Sequence, residues 1–251
     1  MNLDELNKKI VSCTACRLHK TRDQAIIGEG NTSSRLFLVP QAPGEVENRE
    51  GSMFVGPSGN VFRELIKQAG LGWQDFYISN LIKCMLPNCR KPKQDEIKAC
   101  SKYMVKEIEI IDPDILVPLG YYSTKYLFNK YSIQSDLSKN KFPDLIAKFQ
   151  IVDEIKIYPL AHPATVLYQP EFKESLENNY AKLGTFKKIC KWYSFCPMKY
   201  YTEKGQLDMK WTELYCKGDW KSCKRYAMEE SGEYHPDNML PDGSIASHLN
   251  P

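Results

Sequence analysis

Four short apolar runs mark the first two-thirds of the chain, and each stops in proline, glycine or a polar side chain. They lie in residues 35–39, 76–84, 115–119 and 155–160, around Leu36-Phe37-Leu38-Val39, Phe76-Tyr77-Ile78, Ile115-Leu116-Val117 and Ile155-Lys156-Ile157. Short apolar runs bounded by turn residues read as buried strands. Between them the apolar positions recur with helical spacing. Residues 2–12 place Leu3, Leu6, Ile10 and Val11 on one face, and residues 58–69 carry Val61, Leu65 and Ile66 and close at Gly70. Further helices are predicted over 93–111, 121–128 and 171–192. The polar stretch at 130–141 reads as a loop. Strands alternating with helices predict an α/β fold, a central four-stranded parallel sheet flanked by helices.

Three of the four predicted strands end in Gln41, Asn80 and His162. In a parallel sheet these ends share one edge, where open α/β sheets place their ligands. Each residue alone would also serve as a turn cap; together they mark a candidate site. The stretch VPQAPGEVENREGSMFVGPSG at 39–59 leaves the first strand at this edge. Its prolines fix φ, its glycines allow close backbone approach, and Glu45 and Glu47 bring carboxylates beside it.

After residue 193 the character changes. Residues 193–251 are aromatic, contain cysteine and hold few aliphatic side chains, so the chain divides into a domain at 1–192 and a small module at 193–251.

At 251 residues and 42% hydrophobic content, the chain can bury a sizeable core. Its net charge of +3 permits nucleic-acid binding without demanding it. There is no apolar run of membrane-spanning length, and MNLDELNKKI lacks the apolar centre of a signal peptide. A cytoplasmic protein is expected, in which the nine cysteines serve as metal ligands or buried thiols rather than disulfides.

Cys13 and Cys16 form a C-x-x-C pair, with Cys84 and Cys100 further on. Four such thiolates suit zinc or an iron–sulfur cluster, and the spacing leaves both open. The alternative keeps Cys84 and Cys100 as core thiols. A second set, Cys190, Cys196, Cys216 and Cys223, lies in and beside the small module and reads as a second metal site. The alternative packs these thiols against Trp211 and Trp220. His235 is a candidate fourth ligand should Cys190 lie too far away.

These residues together resemble the family 4 uracil-DNA glycosylases, the iron–sulfur members of the uracil-DNA glycosylase superfamily. The likeness runs from Cys13 to about Pro170. The first motif stands here as Pro40-Gln41-Ala42-Pro43-Gly44, then Glu47-Asn48, Gly51, Phe54-Val55-Gly56 and Gly59. The Asn-x-x-Lys-Cys motif spans Asn80 to Cys84, and His162-Pro163-Ala164 is followed by Leu167 and Pro170.

The resemblance implies a [4Fe-4S] cluster on Cys13, Cys16, Cys84 and Cys100. It also implies a monofunctional DNA glycosylase, a monomer that flips a base from single- or double-stranded DNA and hydrolyses its N-glycosidic bond. By position, Phe54 would stack on the flipped base and Asn80 would bond its polar edge. His162 would donate to the base oxygen that gains charge. The loop of Gln41, Ala42, Pro43, Gly44 and Glu47 would place water near C1′. Tyr168 and Gln169 would wedge into the DNA.

Three departures separate this sequence from the family pattern. The first-motif Gly-Glu is Pro40-Gln41, Glu-Asp is Glu47-Asn48, and Pro-Gly-Asn-Arg is Pro87-Asn88-Cys89-Arg90. An amide at 41 can position water but cannot act as a general base, so Glu47 is the nearest remaining acid. Residues 85–99 contain no histidine, unlike the covalent uracil-trapping branch. Uracil excision in base excision repair is the expected activity. The alternatives are excision of a modified pyrimidine, such as glucosylated hydroxymethylcytosine in phage DNA, as antiviral defence, and a non-catalytic iron–sulfur DNA-binding protein. A third is a processing factor whose last module recruits a protein. In that module Lys217, Lys221, Lys224 and Arg225 lie among Trp220 and Tyr226, a mixture suited to DNA contact or to a solvated face.

Overall fold

The computed structural model describes residues 1–133, 137–138, 141–152 and 155–249. Part of the predicted loop at 130–141 therefore lies outside the described residues. The chain forms two compact units, Met1–Ala181 and Lys182–Pro251; the sequence pattern placed the change at 192/193.

The first unit opens with α1 (Leu3–Val11), whose Asn2 side chain accepts from the Glu5 N–H while Glu5 bonds back to the Asn2 N–H. This reciprocal cap fixes the helix start. Leu6 and Ile10 are buried, but Val11, grouped with them by spacing, is 56% exposed. Val11 follows Ile10 directly, and one residue's rotation carries it off the apolar stripe.

Six strands follow: β1 (Glu29–Gly30), β2 (Leu36–Val39), β3 (Tyr77–Ile78), β4 (Ile115–Pro118), β5 (Gln150–Val152) and β6 (Ile155–Ile157). They form one sheet in the order β1-β3-β2-β4-β6-β5. The four predicted strands are its parallel centre, and β1 and β5 extend it as antiparallel edges. These edges escaped the sequence reading because they are two and three residues long, without a continuous apolar run. All four residues of β2 and of β4 are buried, as strands covered on both faces must be.

The helices between strands are α2 (Glu45–Glu50), α3 (Pro57–Gln68), α4 (Gln94–Ile111) and α5 (Tyr121–Lys130). Helix α2 lies inside the stretch read as a loop; Glu45 and Glu47 in its first turn suit the positive end of the helix dipole. After β6 come α6 (Thr165–Tyr168) and α7 (Lys173–Ala181). The continuous helix predicted over 171–192 stops at Ala181. A short α8 (Leu183–Phe186) begins the second unit, where the Thr185 N–H and hydroxyl both bond the Lys182 carbonyl in a three-residue turn.

The second unit also holds α9 (Pro197–Glu203) and α10 (Lys224–Ser231). Met198, Tyr201, Leu207, Ala246 and Leu249 make a small apolar cluster in it. Among the described residues no helix is long and apolar enough to cross a membrane.

β3 and β4 flank β2 on opposite sides, so the chain reverses its winding direction at β2. The crevice outside the carboxyl ends at such a point is the place an α/β sheet offers a ligand.

Candidate active site

A pocket opens at that edge. It is lined by Pro40, Ala42, Pro43, Gly44, Glu47, Met53, Phe54, Ser58, Asn80 and His162. Three strand ends thus meet: the loop after β2, Asn80 after β3 and His162 after β6. Gln41 is not among the lining residues. Its carbonyl accepts the Ile82 N–H at 2.9 Å, which ties the loop to the segment carrying Asn80. Met53 and Ser58 join the wall without a sequence signal that set them apart.

Phe54 owes its place to its backbone. Its φ is 53°, in the left-handed region that side chains disfavour. The Arg63 guanidinium donates to the Phe54 carbonyl. Gly59 makes room for the same carbonyl: a Cβ there would lie 1.8 Å from the Phe54 oxygen. The Phe54 ring then stacks on Phe62, centroids 4.2 Å apart and planes 21° apart. Phe62 meets Trp73 and Phe76 edge to face. An aromatic stack of this depth gives a rigid platform.

Glu47 is buried, and its Oε1 accepts the Gly56 N–H at 2.7 Å. A Cβ at Gly44 would come within 2.5 Å of Oε2. The carboxylate therefore joins the two ends of the loop and still borders the pocket. Asn48 does not line the pocket. Its Nδ2 donates to Asp23 Oδ2 at 2.6 Å and its Oδ1 accepts the Asp23 N–H at 3.0 Å. The amide at 48 thus pairs with an acid, where an aspartate would set two carboxylates face to face.

Asn80 is buried, and its Nδ2 lies 3.2 Å from the Met53 sulfur. His162 Nδ1 accepts the Ala164 N–H at 3.2 Å. In a neutral ring that leaves the proton on Nε2, a donor. Burial holds the His162 pKa down at about 4, so the ring is neutral at ordinary pH. After His162 the chain presents exposed apolar side chains: Leu167 and Tyr168 on α6, then Phe172.

Beneath β3 lies a buried charged triad. Lys83 Nζ donates to Glu107 Oε2 at 2.6 Å and to the Ser79 hydroxyl, and Ser79 donates to Glu107 Oε1 at 3.0 Å.

The next residue, Cys84, faces a second pocket with Cys13, Cys16 and Cys100, bordered by Ile10, His19, Arg22 and Tyr103. Donors surround the sulfurs. Arg22 Nη1 lies 3.0 Å from Cys84 Sγ, and the Lys83 N–H lies 3.1 Å from Cys100 Sγ. Burial pushes Cys84 upward against the pull of Arg22, and Cys100 to about 12. A metal replaces the proton such sulfurs would otherwise keep. Among the described residues no three ligating side chains close on one ion-sized point; the four thiols ring a pocket. An all-sulfur donor set with N–H groups aimed at it fits an iron–sulfur cluster. Arg22, Lys83 and Tyr103 escaped the sequence reading as neighbours of this set, although Arg22 stands in a basic stretch and Lys83 in a quoted motif.

In the second unit, Cys190, Cys196, Cys216 and Cys223 line one pocket. Its aromatic lining is Trp192, Phe195 and Tyr226 rather than Trp211 or Trp220. His235 borders it too, with Nε2 3.0 Å from Glu229 Oε1. Cys190 lies in the same pocket as the other three cysteines. Of the basic and aromatic residues at 217–226, Lys221 and Lys224 are exposed, whereas Arg225 is 3% exposed and Trp220 Nε1 donates to the Thr185 carbonyl at 2.8 Å.

Residues 27–184 match the family model of the Uracil DNA glycosylase superfamily. The Type-4 uracil-DNA glycosylase of Sulfurisphaera tokodaii is 38% identical over 184 residues, 72% of this chain and 83% of that protein. The Type-4 enzyme of Saccharolobus solfataricus is 39% identical, over 72% of this chain and 85% of its own length. That of Archaeoglobus fulgidus is 33% identical, over 73% and 92%.

Proposed function

The chain belongs to the uracil DNA glycosylase superfamily, and from that membership we propose that it is a monofunctional glycosylase excising uracil from DNA in base excision repair. The observation that carries this is the convergence of Phe54, Asn80 and His162 on one pocket. A base must leave the duplex for its glycosidic bond to be reached. In the pocket it meets an aromatic face, Phe54, and an amide, Asn80, able to bond both a carbonyl and an N–H. His162 stands ready with Nε2–H.

As the C1′–N bond breaks, the electron pair moves onto the base and negative charge grows on its oxygens. A neutral imidazole donating from a fixed position stabilises that charge without giving up its proton. Water then adds to C1′ and gives up a proton, the departed base anion takes one from solution, and an abasic site is left. Glu47 is the acid nearest that step. The backbone of Ala42, Pro43 and Gly44 walls it, and Gln41 supports the loop from behind. Leu167 and Tyr168 supply the apolar wedge that fills the gap in the DNA.

Cys13, Cys16, Cys84 and Cys100 hold a [4Fe-4S] cluster in this reading. When bound, the cluster supplies a cross-link between the N-terminal turn, the end of β3 and α4. The chain works as a cytoplasmic monomer.

The test is mass spectrometry of free base released from uracil-containing DNA and, side by side, from phage DNA with hypermodified cytosine. Uracil release that falls steeply in Asn80→Ala and His162→Ala supports the proposal. Release of the modified base alone reassigns the substrate. DNA binding with no base release makes the chain a non-catalytic binder.

A further inference from the structure

The second unit buries a positive charge that no carboxylate matches. Arg225 Nη1 donates to the carbonyls of Pro236, Asp237 and Met239 at 2.8, 3.2 and 2.8 Å. Its Nε has no hydrogen-bond partner, and no ion pair includes Arg225 among the described residues. Glu229, which borders the same pocket, is turned to His235. Arginine does not shed its proton, so a buried guanidinium requires negative charge nearby.

The groups able to provide it are sulfurs. Cys190 and Cys196 come from one stretch and Cys216 and Cys223 from another, and all four share the pocket with Arg225. The Cys190 N–H bonds the Cys216 carbonyl at 2.7 Å, which fixes the stretches to each other. All four cysteines are free. Neutral thiols would leave the Arg225 charge unmatched. Thiolates would match it, and buried thiolates sharing one pocket require a cation between them.

We propose that Cys190, Cys196, Cys216 and Cys223 hold a second metal centre as thiolates, of iron–sulfur or zinc type. Each ligand exchanges its S–H proton for a metal–sulfur bond, and the proton leaves to solvent. The site lies outside the family match, which ends at residue 184. A unit with so small an apolar cluster gains from such a staple.

The test uses the full chain, purified without oxygen, with iron, zinc and acid-labile sulfide measured together. Cys84→Ser/Cys100→Ser disables the first thiol pocket and should leave bound metal behind. Cys216→Ser/Cys223→Ser should lose that remaining share and keep the rest. Cys89→Ser, at an exposed cysteine, should change neither. Iron with sulfide identifies a cluster, and zinc alone a mononuclear site. To separate metal loss from misfolding, the wild-type chain is alkylated with and without chelator. The four thiols should react only after chelation, while Cys89 reacts in both. The proposal fails if Cys84→Ser/Cys100→Ser removes all iron and zinc, or if alkylation is indifferent to chelator. It also fails if intact mass shows disulfides among the four.

Discussion

The rings of Phe54 and His162 lie nearly parallel, 25° apart in plane, with centroids 6.1 Å apart. One reaches the pocket from the loop after β2 and the other from the end of β6. Together they offer a flipped base one aromatic face and one hydrogen-bond donor.

Replacing His162 by alanine should lower the single-turnover rate by about 100- to 1000-fold, the usual cost of losing one donor to a developing anion. Because burial holds the His162 pKa at about 4, activity should stay flat as pH falls through 6.5 and decline only near 4. The unfolded chain binds this proton from about 6.5 downward, the folded chain only near 4. His162 therefore makes stability fall with decreasing pH inside that window and level off below it. An acid limb centred at 6.5 in the rate profile would contradict the assignment.

Asn80→Asp keeps the shape of the side chain but replaces an amide donor with charge. Uracil release should fall by at least about 100-fold, since a polar pocket left mispaired rejects its ligand strongly. Affinity for undamaged DNA, governed by phosphate contacts, should be unchanged. Titration of labelled duplex alongside base-release kinetics separates the two.

Glu47→Gln retains an oxygen for the Gly56 N–H, whereas Glu47→Ala removes it. The glutamine variant should fold as the wild type does yet lose roughly 100- to 10,000-fold in rate, if the carboxylate acts in catalysis. The alanine variant should also lose about 1–3 kcal/mol of stability from the orphaned buried N–H. Full activity in Glu47→Gln would confine this residue to holding the loop.

Lys83→Met strands Glu107 in the core. Removing one member of a buried pair costs about 3–5 kcal/mol, and the Lys83–Glu107 pair is almost wholly buried. The double change Lys83→Met/Glu107→Leu should recover much of that loss. Urea unfolding of the metal-loaded proteins measures both, and a single-variant loss under about 1 kcal/mol would argue against the pair's isolation from water.

The centre of the sheet was legible because β2 and β4 are continuous apolar runs that close on proline or glycine. The edge strands were not, since Glu29-Gly30 carries no apolar signal and pairs through its backbone. Phe54, Asn80 and His162 stood out as residues of unusual type at strand ends. Met53 and Ser58 did not, because a methionine and a serine in a glycine-rich stretch look like any others until the chain folds. Arg225 was read as a surface cation from its neighbours Lys221 and Lys224. Nothing in the local pattern says that its side chain turns inward to the carbonyls of residues 236–239. Such contacts are set by tertiary packing, which a local charge pattern does not encode.

Asn80 and Cys84 stand four residues apart, a span of at most about 14 Å of extended chain. One short ribbon thus carries the amide proposed to read the base and a sulfur proposed to hold the cluster. A cluster on Cys84 would add one more anchor to a ribbon already held by the Leu81 N–H on the Pro40 carbonyl, the Ile82 N–H on the Gln41 carbonyl and the buried Lys83–Glu107 pair. Metal loading would then sharpen the aim of Asn80 rather than create it, so chain stripped of iron should bind DNA as before and release base more slowly. Excision at full rate by chain stripped of iron would break this dependence.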